Sequence, residues 1–123
     1  MKRCFVFPGQ GAQYPGMGRD LYDASSSVRD LFAVASEHAG RDLVQLLTEG
    51  TEQDLAATDV SQVAITTVSL AALRLLAERG ITSAGAAGFS LGEYAAFVDA
   101  GVLAEEQALR LVVERGRIME QVS

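Results

Sequence analysis

A chain of 123 residues, 49% of them hydrophobic and 21% charged, has globular rather than disordered composition and is long enough for one core but not for two domains. Its formal net charge of -6 argues against non-specific nucleic-acid binding, which needs a basic face, and would repel an acidic partner except at local basic patches. The one cysteine, Cys4, has no partner for a disulfide within the chain and reads as a small buried side chain.

Met1-Lys2-Arg3 is basic, but the apolar run behind it ends at Phe7, and Pro8 and Gly9 break it. That run is too short for a signal peptide or a membrane span, so a soluble cytoplasmic protein is expected. Residues 3–7, with β-favouring Phe5, Val6 and Phe7, predict a strand buried on both faces, as in a parallel sheet. Phe7-Pro8-Gly9-Gln10-Gly11-Ala12-Gln13 then leaves the strand as a Gly-rich loop, and Pro15-Gly16-Met17-Gly18 extends it. The loop has neither Gly-x-Gly-x-x-Gly nor the Gly-Lys-Ser/Thr ending of a P-loop, so a nucleotide reading is poor. Its place at the carboxyl end of a first strand is where open α/β folds bind ligands, and its glycines allow close backbone approach. Without a second motif, a plain strand-to-helix connection is the better account of it.

Residues 20–25 predict a short helix. Ser26 or Ser27 caps a longer one to about Ala39, ended by Gly40, with Val28, Leu31, Phe32 and Ala35 at helical spacing. His38, the sole histidine, lies near that helix end, where it favours the dipole and carries no catalytic assignment. Residues 42–48 predict a further turn or two, closed by Gly50. Thr51 caps a short segment with Asp54 in the capping-box position. The longest helical pattern covers residues 59–79, capped by Thr58 or Asp59 and stopped by Gly80. Its broad apolar face marks a buried crossover between parallel strands at residues 3–7 and about 84–89. Gln62, polar and near its start, reads as solvent-exposed.

Gly88-Phe89-Ser90-Leu91-Gly92-Glu93-Tyr94 has the form Gly-x-Ser-x-Gly, after the small-residue run Ser83-Ala84-Gly85-Ala86-Ala87 and before an apolar helical pattern. Strand, tight turn and helix in that order are the context of a nucleophile elbow. In such a turn Ser90 is strained with its hydroxyl exposed, and Gly88 and Gly92 avoid collisions that any side chain would cause. The next helix aims free N–H groups and its positive dipole end at the serine, which favours an oxyanion. The same spacing occurs in ordinary Gly/Ser turns; the context favours the elbow. That helix is predicted over residues 91–100, with Gly101 as its stop. A last helix runs from Ala104 to the C-terminus with Glu105 and Glu106 in its first turn; having no C-cap, it is expected to be cut rather than finished. Ala108, Leu111, Val112, Arg115 and Met119 share one of its faces, and Arg117 belongs with Arg110, Val113 and Glu114 on a more polar side. A guanidinium on an apolar face needs an anion, so Arg115 is the candidate for binding a carboxylate. A snorkelling surface arginine fits the pattern as well.

Together, the loop from Phe7 to Gln13, Gly16-Met17-Gly18, the Ser90 elbow and Arg115-Gly116 resemble the malonyl-CoA:acyl-carrier-protein transacylase family, the acyltransferases of fatty-acid and polyketide synthesis. The resemblance spans nearly the whole chain, in family order and spacing. It implies an α/β fold. Residues 1–123 would be the N-terminal portion of an α/β-hydrolase-like large subdomain, with a short parallel sheet, surrounding helices and no ferredoxin-like subdomain. It implies malonyl transfer from malonyl-CoA to the phosphopantetheine thiol of acyl carrier protein in a ping-pong scheme, with no metal or resident cofactor, the CoA thioester being substrate. Ser90 would be the nucleophile, the backbone N–H groups of Gln10 and Leu91 the oxyanion hole, and Arg115 the holder of the malonyl carboxylate, for which Lys would be a poorer substitute. Partners would be malonyl-CoA and acyl carrier protein, with no nucleic acid and no membrane.

Two departures stand against the family pattern. Phe89 occupies the position before the serine where the family often has His, which bears on acyl-group preference. The family's general-base histidine lies far downstream, beyond the ferredoxin-like insertion, and His38 does not match it. The chain is therefore expected to be an N-terminal piece, weak or inactive alone, because losing the base costs several orders of magnitude in rate. A start at Met1 directly before the first strand points to a free-standing enzyme rather than a megasynthase domain. Competing expectations are a serine esterase or thioesterase, which shares the elbow but has no need of Arg115, and a non-catalytic remnant that binds acyl-CoA or a carrier.

Overall fold

The computed structural model describes residues 2–122. The chain runs through β1 (Cys4–Phe7), α1 (Arg19–Ala24), α2 (Ser26–Ala39), α3 (Leu43–Glu49), α4 (Thr58–Glu78), β2 (Gly85–Gly88), a 3-10 turn (Ser90–Gly92), α5 (Glu93–Asp99) and α6 (Glu105–Val122). Met1 and the expected continuation of the last helix through Ser123 fall outside the described residues. β1 and β2 pair in parallel, Cys4 opposite Gly85 and Phe7 opposite Gly88. A parallel pair needs a long crossover, and α4 supplies it. The consequence for the site is direct: the chain leaves both strands at the same end, so the loop after Phe7 and the turn after Gly88 emerge side by side.

Most boundaries follow local signals. The Ser25 hydroxyl accepts from the Val28 N–H at 3.4 Å, so the cap of α2 lies one residue before the serines expected, and Gly40 at φ 67° closes the helix. Asp42 caps α3 through the Gln45 N–H. The Thr51–Asp54 capping box forms in both directions, at 2.9 and 3.2 Å. α4 is different. Neither Thr58 nor Asp59 caps it; the N-cap is Ala57, and the Thr58 N–H donates to the Glu120 carboxylate of α6 at 2.9 Å. A tertiary acceptor does what a local side chain usually does. Asp59 is instead paired with Arg41 at 2.6 Å.

α4 is the centre of the core. Val60, Val63, Ala64, Ile65, Leu70 and Ala71 are buried in it, against Leu31 and Phe32 of α2, Ala95 of α5, and Leu109 and Val112 of α6. Among the described residues it alone is long and apolar enough to cross a membrane, but 61% of its most apolar stretch is buried inside the fold, as a core helix requires.

Three expectations need correction. β1 is not buried on both faces: Phe7 is buried, but Val6 is 75% exposed. Cys4 is exposed, not a buried filler. The reason is that the sheet has two strands among the described residues, and one face of β1 has nothing laid over it; an open groove of about 390 Å³ runs between β1 and Val68, Ala72, Leu73 and Leu76 of α4. On α6 the buried stripe is Ala108, Leu109, Val112, Val113 and Gly116, while Leu111 is 48% exposed. The helix is rotated so that the apolar residues meet α4, which leaves Arg115 at the margin of the buried face.

Candidate active site

β2 stops at Gly88, and two residues later Ser90 adopts φ 52°, the one positive φ outside glycine among the described residues. A left-handed L-residue costs about 1–2 kcal/mol, so something must hold it there. The Phe89 N–H extends the strand pairing to the Phe7 carbonyl at 3.1 Å, and the Gly92 N–H closes the turn on the Phe89 carbonyl at 3.0 Å. The turn is possible only because its flanks carry no side chain. A Cβ on Gly88 would lie 2.2 Å from the Gly92 carbonyl carbon, and one on Gly92 would lie 2.3 Å from the Phe7 oxygen. The expected helix over residues 91–100 thus begins as a 3-10 turn before α5 proper. Ser90 is exposed at this bend, next to an exposed Phe89.

The loop after β1 lies against the elbow. A Cβ on Gly9 would meet the Phe89 carbonyl at 2.5 Å, which places Gln10 beside the turn that holds Ser90 and Leu91. The Gln10 side chain donates to Thr58 Oγ1 at 3.2 Å.

Arg115 comes to the serine from α6. Its Nη2 donates to Ser90 Oγ at 3.3 Å and its Nη1 to Gln62 Oε1 at 2.6 Å, and the guanidinium carbon stands 6.0 Å from the centre of the Tyr94 ring, within cation–π range. The close approach of α6 to α4 allows this: Gly116 would bring a Cβ to 3.0 Å from Asp59 Cα. Gln62 is not solvent-exposed, as its polarity predicted, but 0% exposed, and it is the residue that receives Arg115. Thr58, Gln62 and Glu120 were missed by sequence reasoning. Their signal was faint: two polar residues one turn apart at the start of a helix that is otherwise apolar.

His38 lies on α2, with its Nε2 2.9 Å from Glu106 of α6. Among the described residues, the hydrogen-bond partner of the Ser90 hydroxyl is Arg115, which has no lone pair and takes no proton. Arg115 is suited to holding an anion near the serine, not to activating it. No grouping of three or more His, Cys, Asp or Glu side chains that could hold a metal occurs among the described residues.

A parallel strand pair that ends in a strained serine bend, with an arginine fork at the hydroxyl, defines an α/β protein of the serine-elbow class. The model of the acyl transferase domain family matches residues 4–123, and the chain belongs to that family. It is 42% identical over 120 residues to the malonyl CoA-acyl carrier protein transacylase of Bacillus subtilis (strain 168), covering 98% of this chain and 38% of that protein. The crystal structure of MCAT from Streptococcus pneumoniae is similar at a TM-score of 0.92 with 45% identity, over 99% of this chain and 40% of that one. A malonyl-transacylase solved in complex with its type II PKS acyl-carrier protein is similar at 0.91 with 42% identity, over 100% of this chain and 40% of that one. The chain spans about two-fifths of the length of the relatives it matches.

Proposed function

We propose that residues 1–123 are the N-terminal portion of the large subdomain of an acyl-carrier-protein S-malonyltransferase, working in the cytoplasm, and that they supply its nucleophile, oxyanion hole and acid clamp. Ser90 Oγ attacks the thioester carbonyl of malonyl-CoA; the carbonyl oxygen takes the negative charge and receives the Gln10 and Leu91 N–H groups; the carbon–sulfur bond breaks, and CoA leaves as the thiol. The phosphopantetheine thiol of acyl carrier protein then attacks the Ser90 ester by the same route and carries off the malonyl group. Through both steps Arg115 pairs with the free carboxylate of the acyl group, so a dicarboxylic unit is favoured. The proton that leaves Ser90 needs a base that the described residues do not place beside it, and in this reading the base comes from the remainder of a longer acyltransferase. No resident cofactor or metal enters the scheme, because the CoA thioester is a substrate.

The observation that carries this reading is the Arg115 fork, one nitrogen on Ser90 and the other anchored at Gln62. A simple esterase or thioesterase has no use for it. The test is intact-mass spectrometry after long incubation with malonyl-CoA or acetyl-CoA. A malonyl adduct on Ser90, lost selectively in Arg115→Ala while acetyl loading persists, is the expected result. Equal loss of both adducts in Arg115→Ala would overturn the clamp.

A further inference from the structure

We propose that Gln62 is the positioning residue that fixes the Arg115 guanidinium toward Ser90, and that its neutrality is what keeps Arg115 available to an acidic ligand. The second half rests on the clamp reading above. Gln62 lies one turn into α4 and is wholly buried. Its Oε1 accepts from Arg115 Nη1 at 2.6 Å, and its Nε2 lies 3.2 Å from Met119 Sδ. These partners leave the amide one orientation. A guanidinium only donates and a thioether only accepts, so a flipped amide would set N–H against N–H and oxygen against sulfur. With the amide fixed, one arm of the Arg115 fork is pinned and the other points at Ser90 Oγ. The Tyr94 ring bounds the guanidinium further.

The charge argument follows from the same contacts. Among the described residues, the groups around the guanidinium are an amide, a hydroxyl and a ring, and none is a carboxylate. Gln62 therefore holds Arg115 without neutralising it. A glutamate in its place would keep an acceptor toward Arg115 and form a stronger, charge-assisted bond, while setting an oxygen against the Met119 sulfur. An incoming acid would then meet a pair already compensated, and its binding would fall. A methionine would keep the approximate volume but remove the acceptor, freeing the arm to rotate. The two substitutions separate holding from charge.

The test is NMR of the ¹⁵N-arginine-labelled chain, titrated with malonate and, separately, acetate. In the wild type, the Arg115 Nη signals are expected to be resolved, because a pinned guanidinium rotates slowly, and malonate moves them at concentrations where acetate does not. In Gln62→Met the Nη signals collapse to an average. In Gln62→Glu, which retains the acceptor and is expected to fold, they stay resolved while malonate affinity drops about tenfold or more. Averaged Nη signals in the wild type would overturn the positioning role. Undiminished malonate affinity in Gln62→Glu would overturn the charge argument. Resolved signals that malonate leaves unmoved, yet that collapse in Gln62→Met, support the lock and sink the clamp reading alone.

Discussion

Ser90 concentrates the conflict between stability and chemistry in one residue. Its φ of 52° is a conformation glycine adopts freely and serine does not. Ser90→Gly relieves about 1–2 kcal/mol of strain and loses about 0.5–1 kcal/mol to the wider freedom of glycine in the unfolded chain. The expected net is a stabilisation of roughly 0.5–1 kcal/mol, read as a higher urea midpoint, together with complete loss of acyl adduct. A lower midpoint would mean that the bend is not strained in solution. Gly88→Ala acts oppositely, because a Cβ 2.2 Å from the Gly92 backbone prevents the turn from closing. The loss there is expected to be roughly 3 kcal/mol or more, with the adduct lost as well. The serine, its glycines and Arg115 were legible in the sequence because each breaks a local rule, either a special backbone or a charge on an apolar face. Gln62 was not legible. A polar residue early in a broadly apolar helix reads as exposed, and the partner that turns it inward is 53 positions away.

At the scale of elements, the first turns of α4 are the frame of the site. Thr58 and Gln62, one turn apart, hold Gln10 of the loop after β1 and Arg115 of α6 respectively, and Glu120 caps the helix beneath them. Helix extents were legible from caps and periodicity, whereas the start of α4 was not, because its cap comes from α6. Removing the hydroxyl in Thr58→Val frees Gln10 and, if Gln10 has the proposed oxyanion role, is expected to slow malonyl and acetyl loading by the same factor, on the order of tenfold, since an oxyanion donor serves any acyl group. A selective effect on malonyl would put Thr58 with the clamp instead. Further along α4, Arg74 ties three helices together. It donates to both oxygens of Glu105 on α6 at 2.8–3.0 Å and to the Ser27 carbonyl of α2 at 2.6 Å. The Glu105 hydrogen bonds, against the opposing effect of burial, raise the Arg74 pKa above its ordinary value. A raised value means the stabilisation is present at every pH below the unfolded pKa and is lost only on passing above the folded one. Both lie far into alkali, so Arg74 adds no pH dependence near neutrality. Arg74→Lys loses the fork and is expected to cost about 1–2 kcal/mol in urea unfolding, nearly unchanged between mildly acidic and mildly alkaline buffer.

The whole molecule explains why the expected burial of β1 failed although the strand and its parallel partner form where the sequence predicts them. A continuous apolar run reports the burial a strand has in a complete sheet, and β1 has one neighbour here. The relatives this chain matches are more than twice its length, and Val6, with Cys4 and the groove beside α4, is the apolar surface left open. An open strand beside apolar side chains is a template for another chain, and a second copy is the available one when these 123 residues are expressed alone. Most of the helical part needs no such partner, since α4 is buried over most of its length from Val60 to Ala71, with α2, α5 and α6 packed on it, and is open only along the groove. The fold is therefore expected to stand while the sheet associates. Sedimentation should show a mass rising with concentration above the 13.0 kDa of one chain. Val6→Lys puts a charge on that open face and should return the chain to a monomer, with its urea midpoint little changed because Val6 makes few contacts to lose. If Val6→Lys leaves the mass unchanged, association runs through another surface; a wild-type chain monomeric throughout would mean that water tolerates the open strand.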